Sequence, residues 1–291
     1  MGTADVIPGV SGGTMAFIMG IYAQLINAIK SFDLVWVQGL FKLDLKIIFG
    51  RPHFSFLIPL GIGIFCALLF FTRIVSLPTL IHTHPEPVYA LFFGLITGSI
   101  WVLMMHLNQL EMKDYIALIL GVVAGVILFN LVPIQTPETS WFIFFCGALA
   151  ICAMILPGIS GSFILLILKK YAYIFSAVGH FQFSVLIPFA LGAAAGLILF
   201  SRFLSYLLNV YHRVTIMAIT GMLIASLWII WPFQKRSYEI LHGKQYLVYS
   251  TPYLPDNLAA ELLLPAGLLF AGIIIVLGID RLAKDKVLIG G

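Results

Sequence analysis

Charge is what this chain has least of. Its 291 residues include 12 Asp and Glu against 16 Lys and Arg, a charged fraction of 10%, where soluble domains carry about 25%. That scarcity excludes an ordinary water-soluble fold. The cations fall between apolar runs instead of gathering on one face, so no polynucleotide-binding patch is present and no nucleic acid partner is expected. Cysteine is also sparse: Cys66, Cys146 and Cys152 lie inside apolar stretches with no metal-type spacing, so neither a disulfide framework nor a metal or other cofactor is expected. The few acidic residues are scattered in loops. Phosphoryl transfer needs a positioned nucleophile with a charge clamp or metal site, and the sequence offers neither, which points away from an enzyme.

What the chain does have is hydrocarbon: 61% of residues are hydrophobic, and the mean hydropathy is +1.07. A helix of about twenty apolar residues crosses a bilayer. Six segments meet that standard: Phe56 to Leu77, Val88 to Leu107, Tyr115 to Leu131, Leu186 to Leu208, Val214 to Trp231 and Ala260 to Ile279. Two others are broken mid-run by Pro-Gly followed by Ser-Gly. Proline removes a backbone donor and pushes the preceding residue out of helical geometry. Trp141 to Leu156 and Gly161 to Val178 therefore read as two limbs of a re-entrant hairpin meeting at Pro157 to Ser160, a device tolerated only where protein or water covers the broken backbone.

The break occurs twice, as "DVIPGVSGGTMAFIMGIY" from residue 5 and "MILPGISGSFILLILKKY" from residue 154. The likeness continues beyond it. Pro59, Gly63, Arg73 and Ser76 fall on Pro188, Gly192, Arg202 and Ser205, and Gly94, Ser99 and Trp101 on Gly221, Ser226 and Trp228. Each half reads as one hairpin plus three crossings, and an odd number of crossings inverts the second half. The expected architecture is all-α integral membrane, with an inverted-topology repeat of residues 1–133 and 134–291. About sixteen apolar residues precede the second motif but only Met1 to Ile7 the first, so the first hairpin is expected to lack its entering limb. Ten of the 16 cations (Lys30, Lys42, Lys46, Arg51, Lys113, Arg202, Arg213, Arg281, Lys284, Lys286) fall on one side, which the positive-inside rule makes cytoplasmic.

Successive glycines let amide N–H groups converge in a concave nest, and the helix that follows turns its unpaired amides and positive dipole end to the same point. Such a place suits an anion. Gly9, Ser11, Gly12, Gly13 and Thr14 form one candidate phosphate nest, and Gly158, Ser160, Gly161 and Ser162 the other, approaching from the opposite face. Close helix packing by small residues is the rival reading. Arg73 and Arg202, equivalent in the two halves, either reach out to the interface or act as guanidinium forks for a phosphate. Asp5, which faces Met154 in the alignment, and Glu86 and His84 are candidates for coupling or gating, against the plainer reading of caps and wet loops. Lys169 and Lys170 follow the second motif and either attract a head group or reach water.

The two motif copies together resemble the bacterial polyprenyl-phosphate transporter family, the PopT-type undecaprenyl-phosphate translocases. The resemblance covers essentially the whole chain. It implies an inverted-repeat protein of the bacterial inner (cytoplasmic) membrane that returns undecaprenyl phosphate to the cytoplasmic leaflet for cell-envelope synthesis, its motif falling on Asp5, Pro8, Gly9, Ser11, Gly12, Gly13 and Thr14 and again on Pro157, Gly158, Ser160, Gly161 and Ser162. The implied partners are a polyprenyl phosphate and membrane lipids, with a homo-oligomer left open and a proton (H+) or sodium (Na+) potential as candidate drive. Two alternatives stand beside it. One is a membrane polyprenyl-pyrophosphate phosphatase, whose Pro-Gly-x-Ser motif continues with Arg and is joined by glutamates absent here; the other is a small-anion transporter.

Overall fold

The computed structural model describes residues 1–5, 11–75, 80, 83–106, 110–131, 136–241, 244–253 and 258–289. The chain opens with a short helix α1 (Gly2–Asp5), then α2 (Gly12–Ile18), α3 (Tyr22–Lys30), α4 (Leu34–Phe41), α5 (Leu45–Gly50) and α6 (Phe54–Leu69), which runs on into a π-helical turn, Phe70–Ile74. After it come α7 (Pro85–His106), α8 (Met112–Phe129), α9 (Ser140–Ile155), α10 (Gly161–Ile167), α11 (Tyr171–Gly179), α12 (Phe183–Val210) and α13 (His212–Ser226). A two-stranded antiparallel ribbon of β1 (Gln234–Leu241) and β2 (Lys244–Pro252) precedes the last helix, α14 (Leu258–Ile289).

Among the described residues, four helices are long and apolar enough to cross a membrane: Pro85–Met105, Met112–Phe129, Phe183–Val210 and Leu262–Arg281. The chain is thus a multi-pass, helical membrane protein. Two expected crossings are shorter than the apolar runs that announced them. The first stops as a regular helix at Leu69, and α13 ends at Ser226, where the serine hydroxyl donates back to the Leu223 carbonyl at 2.7 Å instead of continuing the ladder. The stretch Gly161 to Val178, expected as one limb, is two helices bent by 111°. The bend falls at Lys169, whose φ is +50°, and Gly20, with φ +69°, holds the matching position between α2 and α3 in the first half. Only glycine enters that left-handed region without strain. The two-stranded ribbon departs from the all-helical expectation.

Apolar side chains gain little by leaving lipid for protein, so helices in a membrane associate where their backbones come close. Here they do so at reciprocal glycines. In the α8–α13 pair Gly121 lies on the Ala218 carbonyl and Gly221 on the Leu118 carbonyl; in α7–α14 Gly94 lies on Leu269 and Gly272 on Leu91; in α9–α12 Gly147 lies on Phe189 and Gly192 on Phe144. The main buried cluster, including Ala16, Phe17, Tyr22, Ile26, Tyr89, Ile96, Ile155, Leu204, Leu223 and Val276, puts α2 at the middle of the bundle.

Between α3 and α6 stands a small finger made of α4 and α5. Asp33 caps α4 by accepting from the Trp36 amide, Asp44 caps α5 by accepting from Lys46 and Ile47, and the Trp36 indole N–H donates to the Ile48 carbonyl at 3.1 Å. Arg51 closes the base, donating from Nε to both Asp33 oxygens at 2.9 and 3.1 Å and from Nη2 to Oδ2 at 2.6 Å. That guanidinium holds the Asp33 carboxyl down at about 2, below its ordinary 3.8. A depressed carboxylate contributes stability that is whole above its unfolded value and drains away as pH falls through the folded one. The Trp36 indole resonance in selectively labelled protein is therefore expected to hold its position from neutral pH down to about 4 and to move toward its unbonded position as pH approaches 2, and Asp33→Asn should remove that transition.

Candidate functional site

The two glycine turns meet. The Gly158 N–H donates to Thr14 Oγ1 at 2.8 Å, joining residues 144 positions apart in sequence. Around this bond the first motif is closed: Ser11 caps α2, its Oγ accepting from the Thr14 amide at 3.2 Å, and the Ser11 and Thr14 hydroxyls share a further bond at 3.0 Å. Ser11 is 3% exposed and Thr14 0%. Their hydroxyls are already committed inside the protein, so in this conformation they lock the turns together.

Backbone contact holds the same place. A Cβ added at Gly13 would stand 2.7 Å from the Ile155 carbonyl oxygen and 2.9 Å from that of Met154, so only glycine lets α2 start against the end of α9. Tyr22 donates its hydroxyl to the Ile155 carbonyl at 3.2 Å, satisfying one of the orphan acceptors at that helix end. Gly158 itself has φ +89°, a conformation that favours glycine, and packs near Met222 and Ser226 of α13.

The second motif is the open one. Ser162 is exposed and Ser160 half-buried; their hydroxyls bond each other at 2.6 Å. Ser160 occupies the cap of α10 without accepting from its first turn, and the amides of Gly161 and Ser162 have no acceptor among the described residues. A pair of hydroxyls and two amides without an acceptor among the described residues thus stand together at the start of α10. A small acceptor-rich anion fits that set of donors.

The other candidates lie apart from this contact. Arg73 is exposed in the π-helical turn and Arg202 half-buried on α12, and neither hydrogen-bonds to either motif among the described residues. Glu86 sits half-buried in the first turn of α7, with His84 exposed just before it. Gly9 and Pro8 lie outside the described residues, and Asp5 is placed only as the last residue of α1. Lys170, left between head-group ligand and solvent group, is neither. Its side chain is 4% exposed, and its ammonium donates to the Thr136 carbonyl at 2.7 Å, with Glu138 at 3.7 Å. It ties the loop before α9 over the bend between α10 and α11. Two polar contacts were not foreseen. Lys30 on α3 donates to Ser205 on α12 at 3.2 Å, and Arg213 at the start of α13 donates from Nη2 to Asp114 Oδ2 on α8 at 2.8 Å. Glu111-x-x-Asp114, a variant capping box, marks Asp114 as the first-turn residue whose carboxylate accepts from the Glu111 amide, but gives no sign of Arg213.

The sequence profile of the VCA0040-like family, described as undecaprenyl phosphate translocase-like, matches residues 1–246. The chain belongs to that family. It is 36% identical over 296 residues to a polyprenyl-phosphate transporter of Vibrio cholerae serotype O1, covering 98% of this chain and 94% of that one. A polyprenyl-phosphate transporter of Staphylococcus aureus is 33% identical over 254 residues, covering 80% and 83%. No solved structure gives a significant match. Both relatives are named as transporters, so family membership and the paired turns point to the same class of protein.

Proposed function

We propose that this chain moves a polyprenyl phosphate, undecaprenyl phosphate in particular, between the leaflets of the bacterial inner membrane and returns it to the cytoplasmic side. The observation that carries this reading is the Thr14–Gly158 bond, which brings two anion-suited turns to one place inside a bundle of apolar helices. A lipid of this kind has one anionic head and a long hydrocarbon tail. The tail can stay in lipid, so only the head needs polar partners on its way across.

The scaffold is read as two inverted repeats, residues 1–133 and 134–291. Reciprocal packing supports it: exchanging the matched glycines Gly94 and Gly221 turns the α7–α14 contact into the α13–α8 contact, with Leu269 taking the place of Leu118. Inverted repeats commonly rock about a fixed site. In this mechanism the phosphate head is received by Ser160, Ser162 and the free amides of α10. Ser11, Gly12, Gly13 and Thr14 become available as the turns part, Arg73 and Arg202 bind the head at the two faces, and Asp5, Glu86 and His84 serve coupling. The contacts Lys30–Ser205 and Asp114–Arg213 each join residues that the cation count places on the cytoplasmic side, in keeping with that orientation.

Proteoliposomes test it. Wild-type protein is expected to move a head-labelled polyprenyl phosphate between leaflets and to leave a water-soluble phosphate outside. Loss of both hydroxyls in Ser160→Ala/Ser162→Ala should slow that movement by about a hundredfold or more, as removal of two charge-assisted bonds of about 1.5–3 kcal/mol each requires, with thermal stability in detergent unchanged. Unaltered lipid movement in the double variant would remove these serines from the path. Movement of the soluble anion would favour the small-anion transporter, and release of inorganic phosphate from a polyprenyl pyrophosphate would favour the phosphatase.

A further inference from the structure

The α4–α5 finger carries its apolar side chains on the outside. Phe41 is 87% exposed, Leu43 79%, Phe49 67% and Leu45 65%. Its inner contacts are used up within itself: Gly39 seats the Ile47 side chain, Trp36 bonds Ile48, and Arg51 bonds Asp33. It meets the bundle through ring contacts, Phe32 with Phe54 at 6.2 Å and Phe49 with Phe54 at 6.3 Å. Four large exposed hydrophobic groups on so small a unit are a surface built to be covered.

Charge says by what. Lys42 and Lys46 interleave with the apolar side chains, both exposed, and neither forms an ion pair among the described residues. Asp33 is neutralised by Arg51, and Asp44, which accepts from the amides that open α5, keeps its charge, so the two lysines leave the finger a net positive charge. The finger follows directly on Lys30, so three ammonium groups lie along one short stretch of chain. Apolar side chains flanked by lysines, on short helices leading into the apolar helix α6 of a membrane protein, have the chemistry of an interfacial element on anionic lipid.

We propose that the α4–α5 finger docks on the anionic phospholipid surface of the adjoining leaflet, Phe41, Leu43, Leu45 and Phe49 entering the acyl boundary while Lys42 and Lys46 pair with head-group phosphates. The docking holds the end of α3 and the start of α6 at a fixed depth. This inference stands apart from the transport reading, since it concerns where residues 34–50 sit and not what the glycine turns bind.

The test uses the full chain in bilayer discs of phosphatidylcholine alone or of phosphatidylcholine with phosphatidylglycerol. An environment-sensitive probe is placed on Leu43→Cys, with Cys66, Cys146 and Cys152 replaced. With phosphatidylglycerol and low salt, the probe should be quenched by lipid-borne nitroxide and shielded from a neutral aqueous quencher. Lys42→Gln/Lys46→Gln should shift that equilibrium toward water by roughly thirtyfold, at about fivefold per lysine near a charged surface, and high salt should shift it the same way. Amide exchange across residues 34–50 of the unlabelled protein, measured in the same discs, gives a second reading should the labelled variant fold poorly. Equal water access in both kinds of disc, or seating indifferent to the two lysines, would overturn the proposal. Protection that persists in detergent and rises with protein concentration would assign the surface to a second copy of the chain and overturn it as well.

Discussion

Gly13→Val is expected to abolish lipid movement in proteoliposomes. The added side chain meets two backbone carbonyl oxygens, of Ile155 and Met154, at 2.7 and 2.9 Å from its first carbon alone. Backbone at a helix end cannot swing aside as a side-chain tip can. The cost of overpacking is about 1–3 kcal/mol, relieved only if α2 moves away from α9, and that movement breaks the bond from Gly158 to Thr14. A companion change separates the bond from the packing. Thr14→Val keeps the volume and removes the hydroxyl, leaving the buried Gly158 N–H without an acceptor at a cost of about 1–3 kcal/mol. Lipid movement should fall by about tenfold, the factor that 1.4 kcal/mol represents, while Thr14→Ser should stay close to wild type. Wild-type rates in Thr14→Val would separate the contact of the two turns from transport.

Arg213→Ala should be the most destabilising single change of charge. Asp114 is wholly buried, and its Oδ2 accepts from Arg213 at 2.8 Å and from the Glu111 amide at 3.0 Å. Its Oδ1 is buried without a partner among the described residues. Removing the guanidinium strands a carboxylate in a low dielectric, which costs about 3–5 kcal/mol for a fully buried pair. Arg213 is itself 38% exposed, so water re-enters in part and about 3 kcal/mol is the expected loss. Replacing both members, as Asp114→Leu/Arg213→Leu, should recover most of it, because an apolar pair of similar volume no longer buries a charge. Thermal unfolding in detergent, followed by loss of the monodisperse peak, reads both variants. A single and a double variant of equal stability would show that the pair carries no net electrostatic weight.

The features legible in the sequence were those written in backbone chemistry. Pro-Gly and Ser-Gly announce a helix break, so the second motif, and the limb Ser140–Ile155 before it, could be placed to within a residue or two, while Pro8 and Gly9 of the first lie outside the described residues. The glycines that pair helices, such as Gly121 and Gly192, could be assigned to packing because nothing else in the membrane needs them. What stayed hidden depended on which partner folding delivers. Nothing in the sequence assigns Thr14 to the Gly158 amide or Arg213 to Asp114, since those partners lie 144 and 99 residues away. Lys169 gave no sign of a bend, because lysine is rarely the residue that takes a positive φ; the equivalent position in the first half, Gly20, did carry the sign. The ribbon at Gln234–Pro252 is hidden for the opposite reason, its strands being largely polar in a chain whose legible elements are apolar runs.

The Thr14–Gly158 contact has a kinetic side. A single neutral hydrogen bond contributes about 1 kcal/mol net, less than twice the thermal energy of about 0.6 kcal/mol. A disulfide or a buried ion pair at the same spot would weld the two halves. One hydroxyl on one amide holds the two turns in register with an energy that thermal motion can overcome.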